Sequence, residues 1–376
     1  MELDAFKVGV DDWLDEHADE LAPAFEGAGT LDEQVAQLNK VRRLTFDADW
    51  ARLGWPYRVG GLGGSNLLRA YLAEALTARD LIEAGLYTLP EFMVPTLIDY
   101  ASPELAAAMV PLVLRGDEVW CQGFSEPGTG SNLASLNCRA TRTDGGWTVS
   151  GQKVWTSLAQ YASRCVLLTR TGTLESAHRG ITAFFIDMDS PAITVRPIKA
   201  MHGVEEFCEV FFDGAFVPED RLLGDVDRGW SIAMDLLPFE RSTALWQRAA
   251  YLQCRLERLV AAAPEGALSA DAVGEATELL WALRARSRAT QHRLAAGERL
   301  GAETSVDKIL VATAEQAVFE LAGEALGPQV MLGDDPASGH WRAKFVYARA
   351  ATIYGGSAEI QRNIVARRLL ELGDDR

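Results

Sequence analysis

The five cysteines, Cys121, Cys138, Cys165, Cys208 and Cys254, lie far apart, and no C-x-x-C pair occurs among them. An odd, scattered set argues against both a disulfide framework and a zinc site. Positive charge is scarce as well. With 36 Lys and Arg against 53 Asp and Glu, the formal net charge is -17. No basic surface is available to displace counterions from nucleic-acid phosphates or to hold an anionic membrane; the excess acid serves solubility. No apolar run is long enough to span a bilayer. The start, Met1-Glu2-Leu3-Asp4-Ala5-Phe6, has neither a basic n-region nor an apolar h-region, so no secretory signal is expected. Together these absences point to a reduced, cytoplasmic setting. His202, His292 and His340 lack metal-ligand spacing, and no metal is expected. Internal repeats and low-complexity tracts are missing too.

What is present reads as a globular chain of two or three domains, with 376 residues, 48% hydrophobic and 24% charged. Residues 1–118 carry helical periodicity, seen in Leu21, Leu38, Val41 and Leu44 and again in Leu67, Leu68, Tyr71, Leu72 and Leu76. The glycine-rich stretch from Leu53-Gly54-Trp55-Pro56 to Gly64 breaks the helices, and Ser65 is suited to cap the next one. Residues 119–228 are rich in Thr, Val, Phe and Trp. Trp147–Gly151, Cys165–Arg170, Ile181–Asp187 and Glu209–Ala215 read as strands of an antiparallel barrel or sandwich. Residues 229–376 return to Ala-, Leu- and Arg-rich helical runs over 230–263, 270–297, 303–326 and 343–372, which predict a four-helix bundle. The expected class is α+β, in the order helical domain, β domain, helical bundle.

Three segments bear chemistry. In Gln122-Gly123-Phe124-Ser125-Glu126-Pro127-Gly128-Thr129-Gly130-Ser131-Asn132, the glycines free backbone amides and the hydroxyls add hydrogen-bonding groups. Such a loop holds a polar heterocycle or a phosphate, or is simply a polar surface loop. It is not G-x-G-x-x-G in a βαβ unit, so a Rossmann site is not indicated. Gly151-Gln152-Lys153-Val154-Trp155-Thr156-Ser157 offers an aromatic face beside hydroxyls, or a core tryptophan with strand-edge hydroxyls. The third is Tyr354-Gly355-Gly356-Ser357-Ala358-Glu359-Ile360-Gln361-Arg362.

In this order the three segments resemble the flavin-binding signatures of the acyl-CoA dehydrogenase family. Leu53–Pro56 with Gly60–Gly63, and Phe212-Asp213 with Val217-Pro218, extend the resemblance through nearly the whole chain. It implies an oxidoreductase of lipid metabolism with FAD as cofactor and an acyl-CoA thioester as substrate. It further implies an electron-transfer flavoprotein as acceptor and a tetrameric assembly. Carried over by position, Gln122, Phe124, Ser125, Gly130, Ser131, Trp155, Ser157, Ser357 and Glu359 would contact the flavin. Ser131, Arg241 and Tyr354 would face substrate. The Gly355 N–H would donate to the thioester oxygen, whose developing charge must be stabilised before an α proton can leave.

Many members carry the catalytic glutamate where this chain has Gly355, and a glycine cannot abstract a proton. Others carry it on the first bundle helix, where this chain reads Leu236-Leu237-Pro238-Phe239-Glu240-Arg241. The resemblance therefore implies Glu240 as the base taking the α proton while hydride passes from the β carbon to flavin N5. A carboxylate in an apolar pocket has its pKa raised toward working pH, which suits that task. The plainer role is a helix-surface acid paired with Arg241 or Arg248. The family's Arg-rich loop, which reaches a neighbour's FAD, corresponds here to Ala261-Ala262-Ala263-Pro264-Glu265-Gly266-Ala267, with no arginine. Leu326–Gln329 replaces a Gly-Gly turn, and Glu324 stands where glutamine is common. These departures imply a related second subunit in a heteromer of the bacterial steroid side-chain type. A homotetramer would require Arg284, Arg286 or Arg288 to compensate. Two further readings stand beside the dehydrogenase: a non-catalytic subunit that shapes a partner's site, and an acyl-CoA oxidase or flavin monooxygenase of the same fold. The oxidases are longer, with an extra C-terminal domain.

Overall fold

Local signals set the first helices. The computed structural model describes residues 1–83, 85–241 and 243–373. Six helices come first: α1 (Leu3–Glu16), α2 (Ala18–Leu21), α3 (Leu31–Asp47), α4 (Asn66–Ala78), α5 (Pro90–Tyr100) and α6 (Pro103–Arg115). Thr30 and Glu33 form a reciprocal capping box at α3. Ser65 accepts the Leu67 N–H at the start of α4, as its position predicts. Between α3 and α4, the Gly54 N–H donates to the Gly63 carbonyl at 2.7 Å, with both glycines at positive φ. Phe6, Val10 and Leu14 of α1 pack against Leu38 and Val41 of α3 and Leu68, Leu72 and Leu76 of α4.

Eight strands follow: β1 (Trp120–Gly123), β2 (Arg139–Thr143), β3 (Gly146–Ser157), β4 (Arg164–Arg170), β5 (Ile181–Asp187), β6 (Ile193–Ile198), β7 (Phe207–Pro218) and β8 (Leu222–Leu223). They form one sheet in the order β6-β7-β3-β2-β4-β5-β8. The sheet is mostly antiparallel but does not close into a barrel, and β1 runs parallel to β4. Strand β3 does not end at Gly151 as its glycine suggests. It continues to Ser157 with irregularities at Val149/Ser150 and Lys153/Thr156. Gly151 is needed there because a side chain would meet the Cys138 Cα at 2.7 Å. Cys165 and Leu167 enter one core, and Val166 and Leu168 the other. Burial on both faces is why β4 reads as an unbroken apolar run.

The C-terminal helices are α7 (Gly229–Glu240), α8 (Thr243–Ala262), α9 (Ala270–Ala295), α10 (Thr304–Leu326), α11 (Pro328–Leu332), α12 (Pro336–Tyr347) and α13 (Ala358–Ile364). Two expectations need correction. The run 230–263 is two helices, not one. Ile232, Ala233 and Leu236 of α7 pack against the sheet and α5, so Glu240 ends a helix that lies outside the bundle core. Pro238 removes a hydrogen bond from the last turn of α7, just before the break. The run 343–372 is also interrupted, by a 3₁₀ turn at Ala348–Thr352 and by Gly355 and Gly356 at φ +63° and +94°. Helices α8, α9 and α10 form the bundle core, with Leu252, Leu280 and Phe319 at its centre, and α12 and α13 pack on α10. Among the described residues, no helix is long and apolar enough to cross a membrane.

Candidate active site

The end of α7, strand β1, helix α10 and the Gly355 turn converge on one point. A Cβ built on Gly355 would lie 3.3 Å from Glu240 Oε1 and 3.1 Å from Lys308 Cε. Arg241 Nε donates to the Gly355 carbonyl at 2.9 Å, tying the end of α7 to the turn. Burial raises the pKa of Glu240, opposed by the Arg241 charge, a hydrogen bond from the Gln122 side chain and the Lys308 charge. Its Oε2 is buried without a hydrogen-bond partner. This is not the surface acid of the plainer reading: Arg241 is engaged by the turn, and Arg248 pairs with Glu315. Gln122, read as a flavin contact, hydrogen-bonds the Glu240 carboxylate from β1.

Tyr354 donates its hydroxyl to Glu315 at 3.2 Å, and its ring lies 4.6 Å from the Lys308 nitrogen. Rings continue from Tyr354 to Tyr347 at 6.1 Å, to Phe207 at 6.5 Å in near-parallel stacking, and to Trp155 at 6.0 Å edge-on. Trp155 is 57% exposed at φ +59°, so it is a presented face and not a core residue. Beside it, Thr156 Oγ1 is buried without a partner.

The Ser125–Asn132 loop is held from below. Glu126 pairs with Lys153 at 2.8 Å, both almost wholly buried, and accepts the N–H groups of Asn137 and Cys138 at 2.7 and 2.8 Å. Lys153 also donates to the Phe124 carbonyl at 3.0 Å, and the Val154 N–H donates to Ser125 O at 3.0 Å. One ion pair thus ties the two motifs together. Neither residue was singled out from sequence. The available signal was that each is the only charged side chain in its motif, Phe124–Asn132 and Gly151–Ser157. Phe124 buries its ring in the core. Gly130 and Ser131 are exposed, and a side chain added at Gly128 or Gly130 would meet nothing within 4 Å. A groove of about 360 Å³ runs past Gly128, Thr129, Asn132, Asn137 and Leu174. Ser157 is half-buried opposite Phe207. Ser357 caps α13 by accepting the Ile360 N–H, and Glu359 is exposed in the first turn of that helix.

None of the three arginines that could compensate for the Ala261–Ala267 loop is free. Arg284 pairs with Glu74, Arg286 with Asp307 at 2.7 Å, and Arg288 lies over Trp246. The loop itself borders a groove of about 690 Å³ with Val260, Leu268 and Trp281, the last 66% exposed. Among the described residues, no cluster of His, Cys, Asp and Glu could hold a metal ion.

Residues 121–215 match the family model described as acyl-CoA dehydrogenase, middle domain, and residues 227–370 match acyl-CoA dehydrogenase, C-terminal domain. The chain is 35% identical over 383 residues to the acyl-CoA dehydrogenase IpdE1 of Mycobacterium tuberculosis, covering 99% of this chain and 98% of that protein. It is 34% identical to FadE34 of the same organism, covering 90% of this chain and 47% of FadE34. In structure it resembles the Tcur3481-Tcur3483 steroid ACAD with a TM-score of 0.84 and 25% identity, covering 100% of this chain and 99% of the other.

Proposed function

The chain belongs to the acyl-CoA dehydrogenase family and is an oxidoreductase of that kind; from this premise we propose that it oxidises a CoA thioester between its α and β carbons, with Glu240 as the base. The observation that carries the reading is the carboxylate of Glu240 standing at the point a side chain on Gly355 would enter. In the proposed reaction Glu240 takes the α proton and the Gly355 N–H donates to the thioester oxygen as charge builds there. Arg241 holds the carbonyl of the same glycine and so anchors the turn that carries that donor. Arg241, Tyr354 and Ser131 are the residues we assign to substrate.

The residues present fit FAD. Trp155 presents an exposed face, Thr156 carries an orphaned hydroxyl, and the Gly128–Gly130 segment is open to a bulky polar group. Gln122, Phe124, Ser125, Gly130, Ser131, Trp155, Ser157, Ser357 and Glu359 are the residues proposed to line it. The chemistry the bound flavin supplies is acceptance of the hydride that leaves the β carbon.

Beyond this core, our reading is a tetramer with a related second subunit, an acyl group of steroid-like bulk, an electron-transfer flavoprotein as acceptor and a cytoplasmic setting. The arginine-free Ala261–Ala267 loop and the engaged Arg284 and Arg286 support the second subunit. So does the likeness to a steroid ACAD named for two components. Anaerobic mixing with acyl-CoA thioesters tests the reaction. Flavin bleaching in the wild type and none in Glu240→Gln supports it; equal bleaching in both would remove Glu240 as the base, and no bleaching in either favours the non-catalytic subunit. Rapid reoxidation of the bleached flavin by air would favour the oxidase. Flavin content of the chain purified alone tests the assembly: one FAD per subunit with full activity would exclude the need for a partner.

A further inference from the structure

Glu240 and the Gly355 turn share a third neighbour that the reaction as written leaves unused. Lys308, on α10, is 4% exposed. Its stem passes under the turn, with Cε 3.1 Å from the point a Gly355 Cβ would occupy. Its ammonium donates to the Ala351 carbonyl, four residues before that glycine, and lies over the Tyr354 ring. Burying a lysine is costly, and a Met or Leu of similar length would fill the same space without the cost. Burial lowers its pKa to about 8, while Glu240 and Glu315 favour the charged form. At pH 7 it is therefore mostly protonated.

The groups facing this charge show where it acts. Lys308 is faced by Glu240, Glu315, Arg241 and Arg248. Glu315 already has Arg248 and the Tyr354 hydroxyl. Glu240 is faced by Arg241 at the end of its own helix, by Gln122 from β1 and by Lys308 from α10. Arg241 commits its Nε to the Gly355 carbonyl. The hydrogen bond of Lys308 itself goes to a neutral carbonyl, so its field is left for the carboxylate across the turn.

We propose that Lys308 is a positioning residue of this site: its ammonium favours the ionised, proton-accepting form of Glu240 against the burial that opposes it, and its stem supports the turn that presents the Gly355 N–H. The inference rests on Glu240 being the base.

Lys308→Met keeps the stem and removes the charge, and Lys308→Arg restores a charge. The acid limb of the kcat/KM profile should move up by about one pH unit in Lys308→Met, with activity largely kept above the limb, and return toward wild type in Lys308→Arg. A second readout needs no turnover. In protein carrying 13C-labelled glutamate carboxyls, the Glu240 resonance is the one missing from Glu240→Gln, and its titration should shift upward in Lys308→Met. An unmoved limb and an unmoved titration in Lys308→Met would overturn the role of Lys308 while an inactive Glu240→Gln left the base standing. Activity surviving in Glu240→Gln would instead overturn the base reading on which the proposal rests.

Discussion

Glu240 Oε1 lies 3.3 Å from the point where Gly355 would carry its Cβ. Two distant positions of the chain thus serve one location. A carboxylate there is reached either from the turn or from the end of α7, and in this chain only the second route carries a side chain. Gly355 at φ +63° keeps the turn open for it.

Glu240→Gln should trade activity for stability. Turnover should fall by roughly 10²–10⁴-fold, the usual worth of a general base. Because burial raises the pKa of Glu240, the fold favours its protonated form. That contribution is present below the unfolded value near 4.5 and is lost as pH rises through the folded one. The neutral glutamine should therefore raise the thermal midpoint at pH 7, and the gain should shrink as the pH approaches 4. Thermal melts across that range decide it; a lower midpoint at pH 7 would count against a carboxylate whose charged form the fold disfavours.

Moving the base back is a stricter test of convergence. Gly355→Glu alone sets a non-glycine residue at positive φ, at a cost of roughly 1–3 kcal/mol, and puts two carboxylates together. It should be less active than wild type. The double variant Gly355→Glu with Glu240→Gly relieves the repulsion and should recover part of the rate. A double variant no better than the single one would mean that the two positions do not address the same atom of substrate.

The Glu126–Lys153 pair should matter most when only half of it is removed. Glu126→Gln or Lys153→Met leaves a buried charge unpaired, at a cost of about 3–5 kcal/mol, and frees the loop that follows Ser125. Each should lower the urea midpoint and the bound flavin per subunit. Replacing both residues by methionine should restore more stability than flavin, because the Asn137 and Cys138 amides still lose their acceptor.

Trp155→Ala should separate cofactor from fold. The side chain is mostly exposed, so the loss of stability should stay below about 1 kcal/mol. Flavin affinity should drop if the face serves the ring system. Unchanged flavin binding, measured by fluorescence titration, would remove Trp155 from the site.

The order helical, β, helical was legible from texture, because periodicity and β-branched content act within a few residues of one another. Ser65 as a cap and the runs of β4 and β5 were readable for the same reason. Short partners such as β1, β6 and β8 were not, since their strand form depends on β4, β7 and β5 beside them. Nor was the split of the helical run at Arg241, or the passage of β3 through Gly151, which packing against Cys138 requires. The sequence by itself determined which residue types were available: a glutamate before an arginine, a glycine where a base often stands, one acid and one base in paired motifs. Only the tertiary structure decided that Glu240, Gln122, Lys308 and Gly355 meet, because three side chains and a glycine turn from four separate elements are brought to a common point by long-range packing, which no local pattern encodes.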